Sequence, residues 1–258
     1  MDKIHLFKEW KRLRKEEQAF FRKNQNKKEA GWQKAVDRYV PDKLESTLNT
    51  AFLKAFELVF DRGRGIIEKT YNRQKKELAY QIDEYAAGLP GNGRAVRRFR
   101  KRAVRSRNLN MGISAVEGIG MGLAGMGIPD IPVFLAVLLK SIYETALHYG
   151  FSYETSQEQI FILKMVETSL LSGEELQRAD LLLNEWMEQP FDMGTREEQI
   201  RKTSDVLAEE MLYLKFVQGI PMVGIAGGVS DVIYQKRILE YADLKYRRRF
   251  LLEKLNQP

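Results

Sequence analysis

Two stretches of this chain are apolar, uncharged and rich in glycine, and they restrict its fold more than any other feature. Residues 118–129 read GIGMGLAGMGIP, and residues 216–230 read FVQGIPMVGIAGGVS. Glycine inside a helix costs about 1 kcal/mol relative to alanine, whereas small residues four apart let two helices approach closely. The pattern therefore predicts two closely packed helices. The glycines assigned to this packing or to lipid contact are Gly118, Gly120, Gly122, Gly125, Gly224, Gly227 and Gly228.

A cluster of cations lies beside each glycine-rich stretch. Residues 94–107, RAVRRFRKRAVRSR, hold eight basic side chains and no acid, and further basic residues follow the second stretch. If the two helices pack antiparallel, both clusters lie at the same end, where they would meet anionic headgroups on the cytoplasmic side of a membrane. The cations assigned to anionic lipid are Arg97, Arg98, Lys101, Arg102, Arg105, Arg247, Arg248 and Arg249.

Both stretches are too short for a simple membrane crossing. A span needs about 20 mostly apolar residues, whereas the uncharged runs hold 12 and 15 residues and are bracketed by Glu117, Asp130 and Asp231. We therefore expect surface contact or partial insertion. The alternative is that the two helices form the close-packed core of a soluble bundle.

Helical periodicity without strand-like alternation predicts an all-α fold. We expect a multi-helix bundle with the two glycine-rich helices packed antiparallel at its centre. Further helices are predicted over about 65–85, 94–107, 131–149, 156–171, 174–188, 195–217 and 222–255. Gly150 fits the end of the helix over 131–149 because glycine is common just past helix C-termini.

Two N-terminal helices have predicted apolar faces. Ile4, Phe7, Trp10 and Leu13 follow a spacing of three among many charges, which indicates a solvated amphipathic helix over about 3–24. A second helix is expected to end at residues 61–63. Its apolar stripe consists of Leu44, Leu48, Ala51, Phe52, Ala55, Phe56 and Val59.

Charge is distributed unevenly along the chain. Residues 1–110 hold 28 basic and 14 acidic side chains, whereas residues 111–230 hold 7 and 17. Basic surface attracts anionic lipid or nucleic acid; the alternative is internal neutralisation, with basic helices packed beside acidic ones. We assign residues 1–29 to a charged helical extension and residues 30–258 to one helical domain, with a hinge at 88–93.

Few residues are suited to catalysis or metal binding. The chain has no cysteine and two histidines, which excludes thiolate and histidine-rich metal sites. No cofactor is expected, and the protein is interpreted as non-enzymatic. Asp130, Glu144 and Asp231 are the candidate functional polar residues; capping and helix-end roles are favoured, and a hydrolase that uses all three together is the alternative.

The partners and location follow from the same features. The N-terminal residues contain no apolar signal-peptide core, so we expect a cytoplasmic protein, peripheral to or partly inserted in the inner face of the cell membrane. A soluble nucleic-acid binder is another alternative, although no nucleic-acid-binding motif accompanies the arginine run. The oligomeric state is not indicated.

Residues 115–151, AVEGIGMGLAGMGIPDIPVFLAVLLKSIYETALHYGF, resemble the EcsC protein family. In this family a small-residue helix leads through a proline-flanked turn into an apolar helix. The matching positions are Ala115–Gly127, Pro129, Asp130, Pro132, Glu144, Ala146, Tyr149 and Gly150. Residues 158–167 and 220–251 fit the family too. The resemblance implies a bacterial, Gram-positive setting and a membrane-protein partner such as an ABC exporter, without an established reaction.

Overall fold

A computed structural model describes residues 3–25, 42–69, 71–88, 130–217 and 229–256 of the 258-residue chain. Every regular element in these ranges is helical, which confirms the all-α prediction. The α-helices are α1 (Lys3–Lys23), α2 (Asp42–Leu58), α3 (Arg64–Lys69), α4 (Arg73–Gly88), α5 (Asp130–His148), α6 (Ser156–Leu170), α7 (Gly173–Glu188), α8 (Arg196–Val217) and α9 (Val229–Asn256).

Several predictions fall outside the described residues. They are the helix over 94–107, residues 118–129 and 218–228 of the two glycine-rich stretches, the boundary near residue 29 and the hinge beyond Gly88. The predicted central, antiparallel packing of two glycine-rich helices accordingly stays a prediction.

Helix α9 lies at the centre of the helices that the structure describes. It packs against α1, α5 and α6, and a ring of neighbours continues from α6 to α8, from α8 to α2 and from α2 to α5. Residues 241–248 of α9 are all buried. Apolar side chains such as Leu239, Ala242 and Leu244 lie on different sides of the helix, which suits a helix enclosed all round.

The predicted apolar stripe of α2 is confirmed from Leu48 to Val59, and the Leu44 side chain lies outside the described part of the structure. The predicted end of the helix is wrong. Leu48, Phe52, Phe56 and Val59 are at most 1% exposed. The helix does not stop at residues 61–63, because a π-helical turn at Val59–Gly63 joins α2 to α3. Apolar burial continues beyond the stripe at Phe60 and Ile67, so the chain remains helical in spite of Gly63.

The helix predicted over 65–85 is interrupted. It consists of α3 and α4, and Asn72 lies between them. The Asn72 side chain accepts a hydrogen bond from the Lys75 backbone N–H at 2.8 Å, as a helix-capping residue does. The break also lets the Tyr71 hydroxyl reach the Tyr153 hydroxyl, 2.7 Å away.

Helix α5 ends at Gly150 as predicted. Gly150 has φ +85°, and the Phe151 backbone N–H donates back to the Ala146 carbonyl at 2.9 Å. This arrangement satisfies a carbonyl that the helix end leaves open. A Cβ atom at residue 150 would lie 2.4 Å from Cζ of Tyr80, so both the backbone conformation and the contact with α4 require glycine.

The apolar face of α1 differs from the predicted one. Leu6, Leu13 and Phe20 are buried, whereas Ile4 is 64% exposed and Phe7 is 58% exposed. Each step of three residues turns about 60° back around a helix, so Ile4 and Leu13 face opposite sides. The predicted face from Ile4 to Leu13 is therefore wrong, and it is the face with Leu13 that packs against α9.

Candidate functional site

Of the cations predicted to bind anionic lipid, only Arg247, Arg248 and Arg249 have described positions, and all three lie in α9. Arg97, Arg98, Lys101, Arg102 and Arg105 lie outside the described residues. So do Gly118, Gly120, Gly122, Gly125, Gly224, Gly227 and Gly228. Their assigned roles stay predictions.

Helix α9 forms a buried ion cluster with α1 and α7. The Lys245 ammonium has no exposed surface and lies 3.1 Å from a Glu17 oxygen and 2.6 Å from an Asp180 oxygen. Arg248 donates to both Glu17 oxygens, at 3.1 and 2.9 Å. Asn184 accepts a further hydrogen bond from Lys245 at 3.0 Å. Buried charge is tolerated because each group has a partner of opposite sign.

Arg247 and Arg249 have carboxylate partners as well. Arg247 is 4% exposed and donates to Glu16 of α1. Arg249 donates to Glu158 of α6 at 2.7 Å. Its guanidinium carbon lies 4.2 Å from the ring centre of Phe151 and 5.5 Å from those of Phe161 and Trp186, which adds cation–π stabilisation.

Three tyrosines complete these interior networks. Tyr149, Tyr241 and Tyr246 donate to Asp243, Asp180 and Glu158 at 2.9, 2.7 and 2.8 Å, respectively. Burial, followed by the neighbouring carboxylates, raises the pKa of each tyrosine well above its usual value. The hydroxyls therefore remain protonated donors at neutral pH, which fits a structural role.

The expectation that the α9 arginines face a membrane does not fit their positions. Arg247 and Arg248 are interior residues, and Arg249 is held between an acid and three aromatic rings. Their charges are already matched by acids of other helices. One feature of the sequence indicated this interior position. Apolar residues occur on every side of α9, which is typical of a helix enclosed by others.

Of the three candidate carboxylates, only Glu144 has a described side chain. It is 4% exposed and pairs with Lys76 of α4 at 3.0 Å. The side chains of Asp130 and Asp231 lie outside the described part of the structure, although their backbones belong to the first turns of α5 and α9. The hydrolase alternative, which requires the three acids to converge, therefore stays untested.

A polar cluster lies near Glu144, where α4 meets α5. The Tyr153 hydroxyl donates to Glu68 at 2.8 Å, and Arg73 reaches Glu154 at 2.7 Å. Burial raises the pKa of Tyr153 to about 12, and the hydrogen bond to the Glu68 carboxylate adds to this rise. The acids of this cluster pair with cations, and the contacts connect α4 to the chain between α5 and α6. Among the described residues, no group of three His, Asp or Glu side chains is placed to hold a metal ion.

Helix α5 is the one described helix that is long and apolar enough to cross a membrane, over Ile131–His148, judged by length and composition alone. Some 67% of that segment is buried among the other helices. Such burial is equally typical of a core helix in a soluble bundle, so α5 by itself gives little support to a membrane span.

The outward face of α1 carries an excess of positive charge. The most exposed charged residues of α1 are all cations, although the Glu16 side chain beside Arg12 is 43% exposed. The acids of the helix are turned inward or to the side: Glu17 is buried, and Glu9 and Glu16 are partly buried. The exposed cations are Lys3, Lys8, Lys11, Arg12, Arg14, Lys15, Arg22 and Lys23.

Two bulky apolar side chains lie on the same face of α1. Ile4, Phe7, Lys11, Arg14 and Lys15 fall within about one-third of the helix circumference at 3.6 residues per turn. Ile4 and Phe7 are well exposed there. We call the eight exposed cations of α1, together with Ile4 and Phe7, the cationic face of α1. It combines the two elements of an interfacial amphipathic helix, apolar anchors and flanking cations.

An exposed apolar pair on another helix shows the contrast. Leu181 and Leu182 of α7 are 59% and 50% exposed. The exposed charges around them are mostly acids, Glu174, Glu175, Glu185 and Glu188, with one cation, Arg178. An anionic surface would repel the acids around these leucines. The outward side of α7 is therefore unsuited to an anionic membrane, whereas the outward side of α1 is suited to one.

Taken together, fold and surface define an all-α helical-bundle protein with a cationic surface helix. The model of the EcsC protein family matches residues 5–251, and the chain belongs to that family. It is similar to "Protein EcsC" of Bacillus subtilis (strain 168), with 26% identity over 146 residues. That match covers 55% of this chain and 59% of the relative, which is less than two-thirds of its length. No solved structure matches the chain.

Proposed function

We propose that this chain is a non-enzymatic peripheral membrane protein that binds an anionic membrane surface from the cytoplasmic side. The observation that carries the proposal is the cationic face of α1, where exposed cations and two exposed apolar side chains outnumber the partly exposed acids Glu9 and Glu16. Anionic headgroups would attract the cations, and Ile4 and Phe7 would enter the boundary between headgroups and acyl chains.

The distribution of ion pairs supports this assignment. Acids of α1 and α7 neutralise the buried cations of α9. This internal pairing occupies Glu17, whereas among the described residues the exposed cations of α1 form few ion pairs. Arg12 lies 3.6 Å from Glu16, and Lys23 lies 3.3 Å from Glu240; both are exposed pairs of the kind that contributes about 0–1 kcal/mol.

The expected affinity is adequate for reversible binding. A cation near an anionic membrane surface contributes about 1 kcal/mol. Full burial of one Ile or Phe side chain contributes about 1.5–3 kcal/mol. Several cations and two partly inserted apolar residues therefore give moderate binding that weakens as salt screens the charges.

Two further assignments remain part of the proposal. The arginine run at 94–107 and the glycine-rich stretches would add contacts to lipid or to a membrane protein. The link to an ABC exporter, which the family resemblance implies, makes such an exporter the proposed protein partner. No observation favours the hydrolase alternative, since Glu144 is engaged with Lys76, and none favours nucleic acid.

Vesicle flotation tests the proposed function. The unmodified protein should float with vesicles that contain phosphatidylglycerol, and it should remain at the bottom with purely zwitterionic vesicles. Salt at about 0.5 M should release most of the bound protein, because the Debye length falls to a few ångströms. Equal behaviour with both kinds of vesicle, or no flotation at low salt, would contradict the proposal.

A further inference from the structure

A second exposed apolar stripe runs along α4. Leu78, Ile82 and Tyr85 are 56%, 57% and 75% exposed. Their spacing of four and three residues places them on one side of the helix. Most other apolar residues of the described structure are buried. Eight large apolar side chains are exposed there, and five of them belong to α1 or α4. We call Leu78, Ile82 and Tyr85 the α4 stripe.

The most exposed residues of α4 itself include no acid, although the Glu77 side chain is 43% exposed and the exposed Glu253 of α9 lies near Glu84. The other exposed residues of α4 whose side chains are described are Gln74, Lys75 and Gln81. The acids of the helix point elsewhere: Asp83 is buried, and Glu77 and Glu84 pair with Arg73 and Lys254. The outward side of α4 thus carries the apolar stripe, two glutamines and one cation, a combination that an anionic lipid surface does not repel.

Ion pairs of α9 place α1 and α4 on the same side of α9. Arg247 and Lys254 are seven residues apart, about two helical turns, and so lie on the same side of α9. Arg247 pairs with Glu16 of α1, and Lys254 pairs with Glu84 of α4. The two helices accordingly flank the same side of α9.

The exposed apolar residues of both helices also lie near the same end of α9. Helix α1 runs antiparallel to α9, since Lys23 pairs with Glu240 whereas Glu16 pairs with Arg247. Ile4 and Phe7 therefore point toward the C-terminal end of α9. Lys254 lies in the last turn of α9 and pairs with Glu84. Tyr85, the next residue of α4, therefore lies near that end of α9 too.

We propose that the α4 stripe is a second membrane contact, which inserts shallowly into the same anionic bilayer that the cationic face of α1 binds. This inference rests on the proposed function. Lipid is the occupant because the stripe is uncharged, lies on the same side of α9 as the cationic helix α1 and ends in a tyrosine, a residue enriched at membrane interfaces. Two contacts fix the orientation of the molecule, with the side that carries α1 and α4 toward the membrane, and apolar insertion adds binding that salt does not screen.

Site-specific labelling tests insertion directly. The natural chain has no cysteine, so Ile82→Cys and the matched control Leu182→Cys on α7 each take a single environment-sensitive fluorophore such as NBD. With phosphatidylglycerol vesicles at low salt, the label at residue 82 should brighten and shift to the blue, and the label at residue 182 should not. Unchanged emission at both positions, with flotation intact, would overturn the second contact and leave the proposed function standing.

A substitution series separates the two contacts. Leu78→Ser, Ile82→Ser and Tyr85→Ser in one chain should leave binding at low salt largely in place and clearly reduce the fraction that stays bound at about 0.5 M salt, to which Ile4 and Phe7 still contribute. The control, Leu181→Ser with Leu182→Ser, should keep that fraction. An equal loss in the control would overturn the inference, as would a salt-resistant fraction unchanged in the triple variant. A stripe that instead binds a membrane protein would leave lipid binding unaltered and so also contradict it. Failure of the unmodified chain to float at all would refute the proposed function itself.

Discussion

Replacing Lys245 with alanine is expected to destabilise the fold by about 3–5 kcal/mol, the usual cost of removing one partner from a buried ion pair. The ammonium is fully buried and lies between Glu17 and Asp180. Without it, Asp180 keeps hydrogen bonds from Tyr241 and Asn184 but has lost its close cation. Urea unfolding followed by circular dichroism would measure the change in the free energy of unfolding.

An exposed pair between the same two helices is the control for Lys245. Lys23 of α1 pairs with Glu240 of α9, and its side chain is 60% exposed. Lys23→Ala should therefore cost no more than about 1 kcal/mol. If Lys245→Ala were as mild as Lys23→Ala, the buried cluster would not anchor α1 to α9 in the way described.

Neutralising Lys11, Arg14 and Lys15 together is expected to weaken binding to phosphatidylglycerol vesicles about 100-fold. All three are exposed on the cationic face of α1. At about 1 kcal/mol for each cation near the membrane, their loss removes about 3 kcal/mol, and each 1.4 kcal/mol is a factor of ten. A vesicle titration of the glutamine variant against the unmodified chain would measure the ratio of dissociation constants.

A variant with the same net charge shows whether position matters. Arg178, Arg201 and Lys202 are exposed cations on α7 and α8. Replacing these three with glutamine should change vesicle affinity by less than tenfold, because they lie on other helices and outside the cationic face of α1. Equal losses in the two variants would mean that total charge governs binding and would remove the special role of α1.

The sequence predicted local structure well because helix periodicity is a local property. The α2 stripe and the helix end at Gly150 depend on residues within a few turns of each other, and both are confirmed. The π-helical turn after α2 was missed because Gly63 is ordinarily a sign of a helix end. Burial of Phe60 and Ile67 against distant helices outweighs that sign.

The role of the α9 cations was not predictable from spacing. Arg248 and its partner Glu17 are 231 residues apart in the chain, and no local pattern connects them. The run of cations resembled a headgroup-binding cluster until the packing showed that α9 is enclosed on all sides. The cationic face of α1 was missed for a related reason, since a spacing of three residues was interpreted as one face although it turns around the helix.

Contact between the outward face of α1 and an anionic bilayer is the central claim, and a label on that face tests it most directly. Ile4→Cys in the otherwise cysteine-free chain takes a single NBD group at an exposed apolar position. We predict a blue-shifted, brighter emission with phosphatidylglycerol vesicles and none with zwitterionic vesicles. Emission that is unchanged by anionic vesicles, while the protein is bound to them, would contradict the claim.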